Sequence, residues 1–322
     1  MTKRDLLALE DWSPEEVETL LKLARRIKQG ELSGGLERRT LGLVFLNPDP
    51  HITLSLKTAM SLHGGQAVEA QAEPQMVDTA RMLGRMIDAV AVRAYETTGS
   101  WAAAREDSLL ATFARHCPKP VINVGSARRD PCQALGDSLT LQEQFGGVEG
   151  KRFVLTWAWH PQAFPTAVPV SAALAAAALG MEIVIARPEG YELDPEDTAL
   201  IRKTAQERGG EFVHISDDPD DALVGADAVY VASWGSVKLF GKPEQEQETR
   251  SGLRDWRLTP SRLRSTRGGK GIVMHAFPYL RDVEIDGKVL DSANAVVVEQ
   301  AENRLHAERA ILLELIGRAS SP

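Results

Sequence analysis

Val44-Phe45-Leu46-Asn47-Pro48-Asp49-Pro50-His51-Ile52-Thr53-Leu54-Ser55-Leu56 is the stretch from which the fold can be read. Leu41 to Leu46 is apolar and short, as a buried strand requires. Asp49 then stands where an N-cap belongs and Pro50 where the first helical residue belongs, so the strand turns directly into a helix. A strand-to-helix turn in an α/β protein is a natural anion site, because free backbone N–H groups and the helix dipole converge there. This turn is built against an anion. The Asp49 carboxylate would cap the N–H groups itself, and no Lys or Arg lies between Thr40 and Lys57.

Outward from this turn, strand and helix signals alternate along the chain. Ser13-Pro14-Glu15-Glu16 predicts a capped helix start with Glu16 closing the box. The pattern predicts a helix from Met76 to Leu83, a strand over Asp88 to Ala91, a helix over Trp101 to Cys117 and a strand over Val121 to Asn123. Gly146 to Lys151 is a turn-rich seam. Beyond it come strand Phe153–Trp157, helix Ala167–Leu179, strand Glu182–Ala186, helix Pro195–Arg208 and strand Glu211–Ile215. Then follow helix Pro219–Val224, strands Ala228–Val231, Ile272–His275 and Ala295–Glu299, and a last helix from Ala301 to Arg318. Glu244 to Arg250 and Ser265 to Lys270 read as polar loops, the first of them mobile. Gln66 to Leu83 reads mostly as an Ala-Glu-Pro linker before its helix. The alternation predicts an α/β protein of two parallel-sheet lobes with a ligand cleft at strand carboxyl ends. Residues 1–146 with the terminal helix 301–322 form the expected first lobe, and 147–300 the second.

Composition narrows the function class. The chain has 322 residues, 43% hydrophobic and 25% charged, ordinary for a globular protein. Cys117 and Cys132 supply neither a disulfide framework nor metal spacing, so a reducing cytoplasm is the default, with no metal and no cofactor expected. The first residues, Met-Thr-Lys-Arg-Asp, show no apolar signal core, and the longest mainly apolar run, Val168 to Leu179, is too short for a bilayer. A net charge of −8 argues against nucleic acid and anionic membranes as partners.

With these segments in order, the chain resembles the aspartate/ornithine transcarbamylase family, and best of all its N-acetylornithine carbamoyltransferase branch. The resemblance rests on Leu43 to Pro48, Leu62-His63-Gly64-Gly65, Gly84 to Asp88, Val92-Arg93-Ala94-Tyr95, Pro120 to Asn123 and Asp130-Pro131-Cys132-Gln133. It continues through Leu155 to Pro161, Ser233-Trp234-Gly235, His275-Ala276-Phe277-Pro278 and Glu302 to His306. It implies transcarbamylase-type lobes, a carbamoyl phosphate lobe followed by an amino-acid lobe, with the terminal helix returning to the first. It also implies a homotrimer and, if the branch's feature is retained, a trefoil knot in the second lobe. The polar run at Glu244 would fold over the amino-acid substrate.

Against the family's Phe-x-x-Ser-x-Arg-Thr-Arg clamp, Asp49 stands for the Ser, His51 for the first Arg, Ile52 for the Thr and Thr53 for the second Arg. Asp130 replaces the His of the family's His-Pro-x-Gln turn, and Ala276 the Cys of His-Cys-Leu-Pro. An ionised Asp accepts hydrogen bonds and cannot donate one. The branch's long loop after the clamp helix, which reaches a neighbouring subunit's site, is reduced to a stub. The cradle is then about four charge units more negative than the family pattern at standard ionisation. Carbamoyl transfer needs a cationic phosphate clamp, donors to the carbamoyl oxygen and a held amine. The candidate catalytic residues are His51, Asp130, Arg93, Gln133 and His275, with Asp49, His51 and Asp130 as a new acid/base cluster. Asp49, Thr53, Trp159, Trp234 and Arg281 are the candidate substrate-binding residues. The expected function is an altered enzyme acting on a small ornithine-like amino acid, with an inactive paralogue of assembly or regulatory role as the alternative. Conventional carbamoyl transfer in arginine biosynthesis is the least favoured reading.

Overall fold

The computed structural model describes residues 3–71 and 76–317. Two compact units emerge, one of Met1–Glu96, Ala104–Leu139 and Glu302–Pro322, the other of Thr97–Ala103 and Thr140–Ala301.

The first unit carries a four-stranded sheet of β1 (Thr40–Phe45), β2 (Gln66–Glu69), β3 (Ala89–Arg93) and β4 (Val121–Asn123), in the order β2-β1-β3-β4. Every pairing is parallel. Side chains alternate between its faces as the pleat demands. Leu41, Leu43, Ala89, Ala91 and Ile122 join one core with residues of the helices Pro14–Lys28, Pro50–Leu62 and Val297–Ile316. Val44, Val90, Val92 and Val121 join the other, with the helices Met76–Met86 and Ser108–His116. The terminal helix thus packs on the first unit, as expected. The Ser13/Glu16 capping box forms as read from sequence.

The second unit holds β5 (Arg152–Trp157), β6 (Glu182–Ala186), β7 (Phe212–Ser216), β8 (Ala228–Ala232) and β9 (Ile272–Met274), in the order β7-β6-β5-β8-β9, again all parallel. Phe153, Leu155, Trp157 and Tyr230 face the helices Ala167–Ala178 and Pro195–Glu207. Val154, Val184, Val229 and Val231 face the opposite core.

Four sequence expectations are corrected. Gln66 to Glu69 is an edge strand rather than linker; the Ala72-Glu73-Pro74 of that linker lies outside the described residues. The stretch expected as one helix from Trp101 to Cys117 is two, Trp101–Ala104 and Ser108–His116, interrupted by Asp107 in a left-handed conformation at φ 46°. Ala295 to Glu299 is not a strand. Ala295 makes one isolated bridge to Val273, and the helix already begins at Val297, burial of Val297 overriding the strand preference of three successive valines. Glu244 to Arg250 is not a loop but the body of helix Pro243–Ser251, with Glu246 and Arg250 buried.

Candidate active site

Parallel strands aim their carboxyl ends at one edge of a sheet, and ligands of α/β proteins bind there. In the first unit that edge is formed by the turns after β1, β3 and β4. Asp49 caps the helix Pro50–Leu62 with its Oδ1, which accepts the N–H groups of His51 at 3.0 Å and Ile52 at 3.2 Å. Its Oδ2 lies 3.4 Å from Arg93 Nη2, with the two side chains only 12% and 17% exposed. Arg93 is fixed further, donating from Nε to Asn47 O at 3.1 Å and from Nη1 to Val124 O at 3.3 Å. Gly125, at φ 131°, leaves the room this requires, since a Cβ there would sit 2.2 Å from Arg93 Nη1. Asn47 Oδ1 in turn accepts the Tyr95 N–H at 2.9 Å. The exposed His51 ring stands 3.8 Å from Asp49. Thr53 is partly buried and spends its N–H on the Asp49 carbonyl at 3.0 Å.

Asp130 and Gln133 open the helix Pro131–Phe145 and are buried. Asp130 Oδ1 accepts the Gln133 N–H at 3.0 Å, while Oδ2 accepts from Arg304 Nη1 at 3.1 Å. The same Nη1 reaches Gln133 Oε1 at 2.8 Å, and Gln133 Nε2 donates to Asp137 at 2.7 Å. Arg304 Nε donates to Glu308 at 3.0 Å, one turn along the terminal helix, and Glu308 accepts a hydrogen bond from the hydroxyl of Ser55 in the helix Pro50–Leu62. Burial works against the charge of Arg304, but Asp130 and Glu308 outweigh it and hold its pKa above the ordinary value. Burial pushes the Glu308 carboxyl and the Cys132 thiol up. Arg304 Nη2 is buried with no hydrogen-bond partner among the described residues.

Two expectations change here. Asp130 enters the site as the partner of Arg304, a pairing that an acid/base cluster with Asp49 and His51 does not anticipate. The two added carboxylates are also paired rather than bare, Asp49 with Arg93 and Asp130 with Arg304, with Glu308 and Asp137 as further buried acids beside them. Sequence reasoning gave Arg304 no site role. Its signal was the Arg304/Glu308 spacing of four, which places both on one helix face.

In the second unit, the turns after β5, β8 and β9 carry the remaining candidates. Both ring nitrogens of His275 are engaged, Nδ1 by the Ala276 carbonyl at 2.5 Å and Nε2 by Glu284 Oε1 at 3.0 Å. Glu284 is buried, and its second oxygen accepts the Leu280 N–H at 2.8 Å. Burial opposes its ionisation, but His275 outweighs this and leaves its pKa below the usual value. His275 is therefore held as part of the scaffold in this geometry. Trp234 is 0% exposed and donates its indole N–H to Tyr191 O at 3.0 Å, which makes it core rather than ligand lining. Trp159 is partly exposed, gives its indole N–H to Arg250 O at 2.8 Å and lies 4.7 Å from the Arg254 guanidinium. Arg281 forms a bidentate pair with Asp291, both contacts 2.9 Å, on an exposed surface. Among the described residues no group of three or more His, Cys, Asp or Glu could hold a metal, and no helix is long and apolar enough to cross a membrane.

Comparison with known proteins accounts for both halves. The carbamoyl-P binding domain of aspartate/ornithine carbamoyltransferase matches residues 4–143, and its Asp/Orn binding domain matches residues 165–315. N-acetylornithine carbamoyltransferase of Xanthomonas campestris pv. campestris is 34% identical over 341 residues, covering 99% of each protein. Ornithine carbamoyltransferase of Pyrococcus abyssi is 33% identical over 325 residues, covering 98% of this chain and 96% of its own. A crystal structure of acetylornithine transcarbamylase complexed with acetylcitrulline aligns with a TM-score of 0.93 at 34% identity, over 98% of this chain and 100% of that one. Matched in sequence from end to end and in the arrangement of both sheets, this chain belongs to the aspartate/ornithine carbamoyltransferase family.

Proposed function

We propose that this chain is a carbamoyltransferase-family enzyme that acts on a small, ornithine-like amino acid and does not use carbamoyl phosphate in the ordinary way. One observation carries the reading. The Asp49 carboxylate occupies the helix N-terminus and draws on Arg93, the donors that a phosphate would need. A mutant N-acetyl-L-ornithine transcarbamylase has been crystallised in complex with carbamyl phosphate and N-succinyl-L-norvaline. In this chain a dianion approaching the turn after β1 meets a carboxylate already in place, and the two repel.

What remains suits a ligand of low net charge. Arg304 keeps its Nη2 group without an acceptor among the described residues, which a carbonyl or single carboxylate could take. Asp130 and Gln133 hold that guanidinium in place, and His51 is the exposed side chain beside Asp49. We extend the proposal to a homo-oligomer, a trimer by family pattern, in the cytoplasm. A second reading, an inactive paralogue with an assembly or regulatory role, draws support from His275, whose ring nitrogens are both engaged by the protein.

Isothermal titration separates these readings. Carbamoyl phosphate is titrated first, then ornithine, N-acetylornithine, citrulline and lysine. Amino-acid binding without carbamoyl phosphate binding supports the altered enzyme. Absence of all binding, with mixed oligomers formed on adding an active relative, supports the paralogue. Citrulline or acetylcitrulline production at rates typical of carbamoyltransferases overturns both.

A further inference from the structure

The Arg250 guanidinium of the second unit makes five side-chain hydrogen bonds. It lies at the end of helix Pro243–Ser251 and is 2% exposed. Its Nε donates to His160 O at 3.0 Å. Nη1 donates to Trp234 O at 2.9 Å and to Glu246 Oε1 at 3.0 Å. Nη2 donates to Gln162 O at 3.0 Å and to Ser233 Oγ at 2.6 Å. One guanidinium therefore ties together the turn after β5, the turn after β8 and its own helix. Glu246 completes the knot of contacts by accepting the Ser236 N–H at 3.2 Å. The two turns also touch directly. Gly235 donates its N–H to Phe164 O at 2.9 Å, and a Cβ at Gly235 would lie 3.1 Å from Ala163 Cβ.

The segments so fixed carry accessible side chains at the carboxyl edge of this sheet. Trp159 is partly exposed, Pro161 to Ala163 and Lys238 are exposed, and Trp159 is itself held by the Arg250 carbonyl. We propose that Arg250 is a positioning residue, acting through Trp159, the 160–164 turn and the 233–238 turn to set the geometry of an amino-acid site on the second unit. This rests on the amino-acid-binding reading above. A guanidinium can hold three carbonyls at once because its five donors are fixed in one plane, which an ammonium cannot reproduce. Small displacements of positioning groups cost up to about 10²-fold in productive binding.

The test is Arg250→Lys, which keeps a positive charge beside Glu246 and loses the planar fork. Two readouts are taken on the full chain, hydrogen exchange at the amides of Gln162, Gly235 and Ser236, and affinity for the five-ligand series. The expected result is a folded protein with faster exchange at those three amides, unchanged exchange in the β1–β4 sheet, and amino-acid affinity lowered by at least about tenfold. Unchanged exchange at the three amides, or unchanged affinity, overturns the proposal. If the wild type binds none of the amino acids, the functional reading fails and the exchange result alone judges Arg250. Should Arg250→Lys not fold, Ser233→Ala deletes only the 2.6 Å contact; it is expected to move both readouts in the same direction, and no movement overturns the proposal.

Discussion

Asp49→Ser is the sharpest perturbation of the site. Serine keeps an N-cap oxygen for the helix Pro50–Leu62, so the cap costs little. What is lost is the 3.4 Å contact with Arg93 between side chains that are 12% and 17% exposed. Breaking a fully buried pair costs about 3–5 kcal/mol and an exposed one about 0–1 kcal/mol. The residual exposure places this pair between them, so a stability loss of about 2–3 kcal/mol is expected in urea. Anion affinity should move the other way. Arg93 stays in place through Asn47 O and Val124 O and its Nη2 becomes available. One charged hydrogen bond is worth about 1.5–3 kcal/mol, and each 1.4 kcal/mol is tenfold. Carbamoyl phosphate or inorganic phosphate should therefore bind Asp49→Ser at least about tenfold more tightly than wild type, before removal of the carboxylate's repulsion is added. Calorimetric titration of both proteins decides it. Equal affinities, or a wild type that already binds carbamoyl phosphate tightly, would refute the idea that Asp49 excludes the phosphate.

Three other outcomes are expected. Gly125→Ala should displace the Arg93 guanidinium, because the new Cβ would fall 2.2 Å from Nη1 at a backbone φ of 131°; a loss of about 1–3 kcal/mol in urea is expected, and a crystal structure with Arg93 unmoved would contradict it. Asp130→Asn should lower stability by about 1.5–3 kcal/mol, the worth of one charged hydrogen bond, because Glu308 still faces Arg304, whereas a purely catalytic role predicts loss of activity at constant stability. Glu284→Gln tests the His275 pair by its pH dependence. The folded pKa of Glu284 is lowered, so its stabilisation is present above the ordinary Glu value of about 4.3 and fades as pH falls through the folded value. The stability gap between wild type and Glu284→Gln should be widest near neutral pH and shrink in acid; a gap constant down to about pH 3 would count against it.

Much of the fold is legible because its signals are local. The Asp49-Pro50 and Ser13-Pro14 starts announce helices through capping chemistry, and β6 is a plain apolar run between turns. Failures arise where tertiary contacts overrule local preference. Val296-Val297-Val298 looks like a strand, yet burial of Val297 against the second core carries it into the terminal helix. Pro243 to Ser251 lacks an apolar stripe and looks like a loop, yet the Glu246/Arg250 pair at a spacing of four turns its polar face inward. Gln66 to Glu69 is mostly exposed, so it lacks the alternation that marks a half-buried strand.

The same blindness shaped the reading of charge. Counting Asp49 and Asp130 along the sequence yields an acidic cradle, since their partners lie 44 residues away at Arg93 and 174 away at Arg304. In the folded chain each acid is matched, and this bears on whether the site has decayed or been rebuilt. Without Asp49, Arg93 would be a largely buried cation with only backbone carbonyls as acceptors, and without Asp130, Arg304 would face Glu308 alone. Here a carboxylate has been set against each of them. Asp49 does so while also capping a helix, and Asp130 while also fixing Gln133. On the proposed reading a dianion would meet the Asp49 carboxylate already in place, and a zwitterionic amino acid is the ligand the site would repel least.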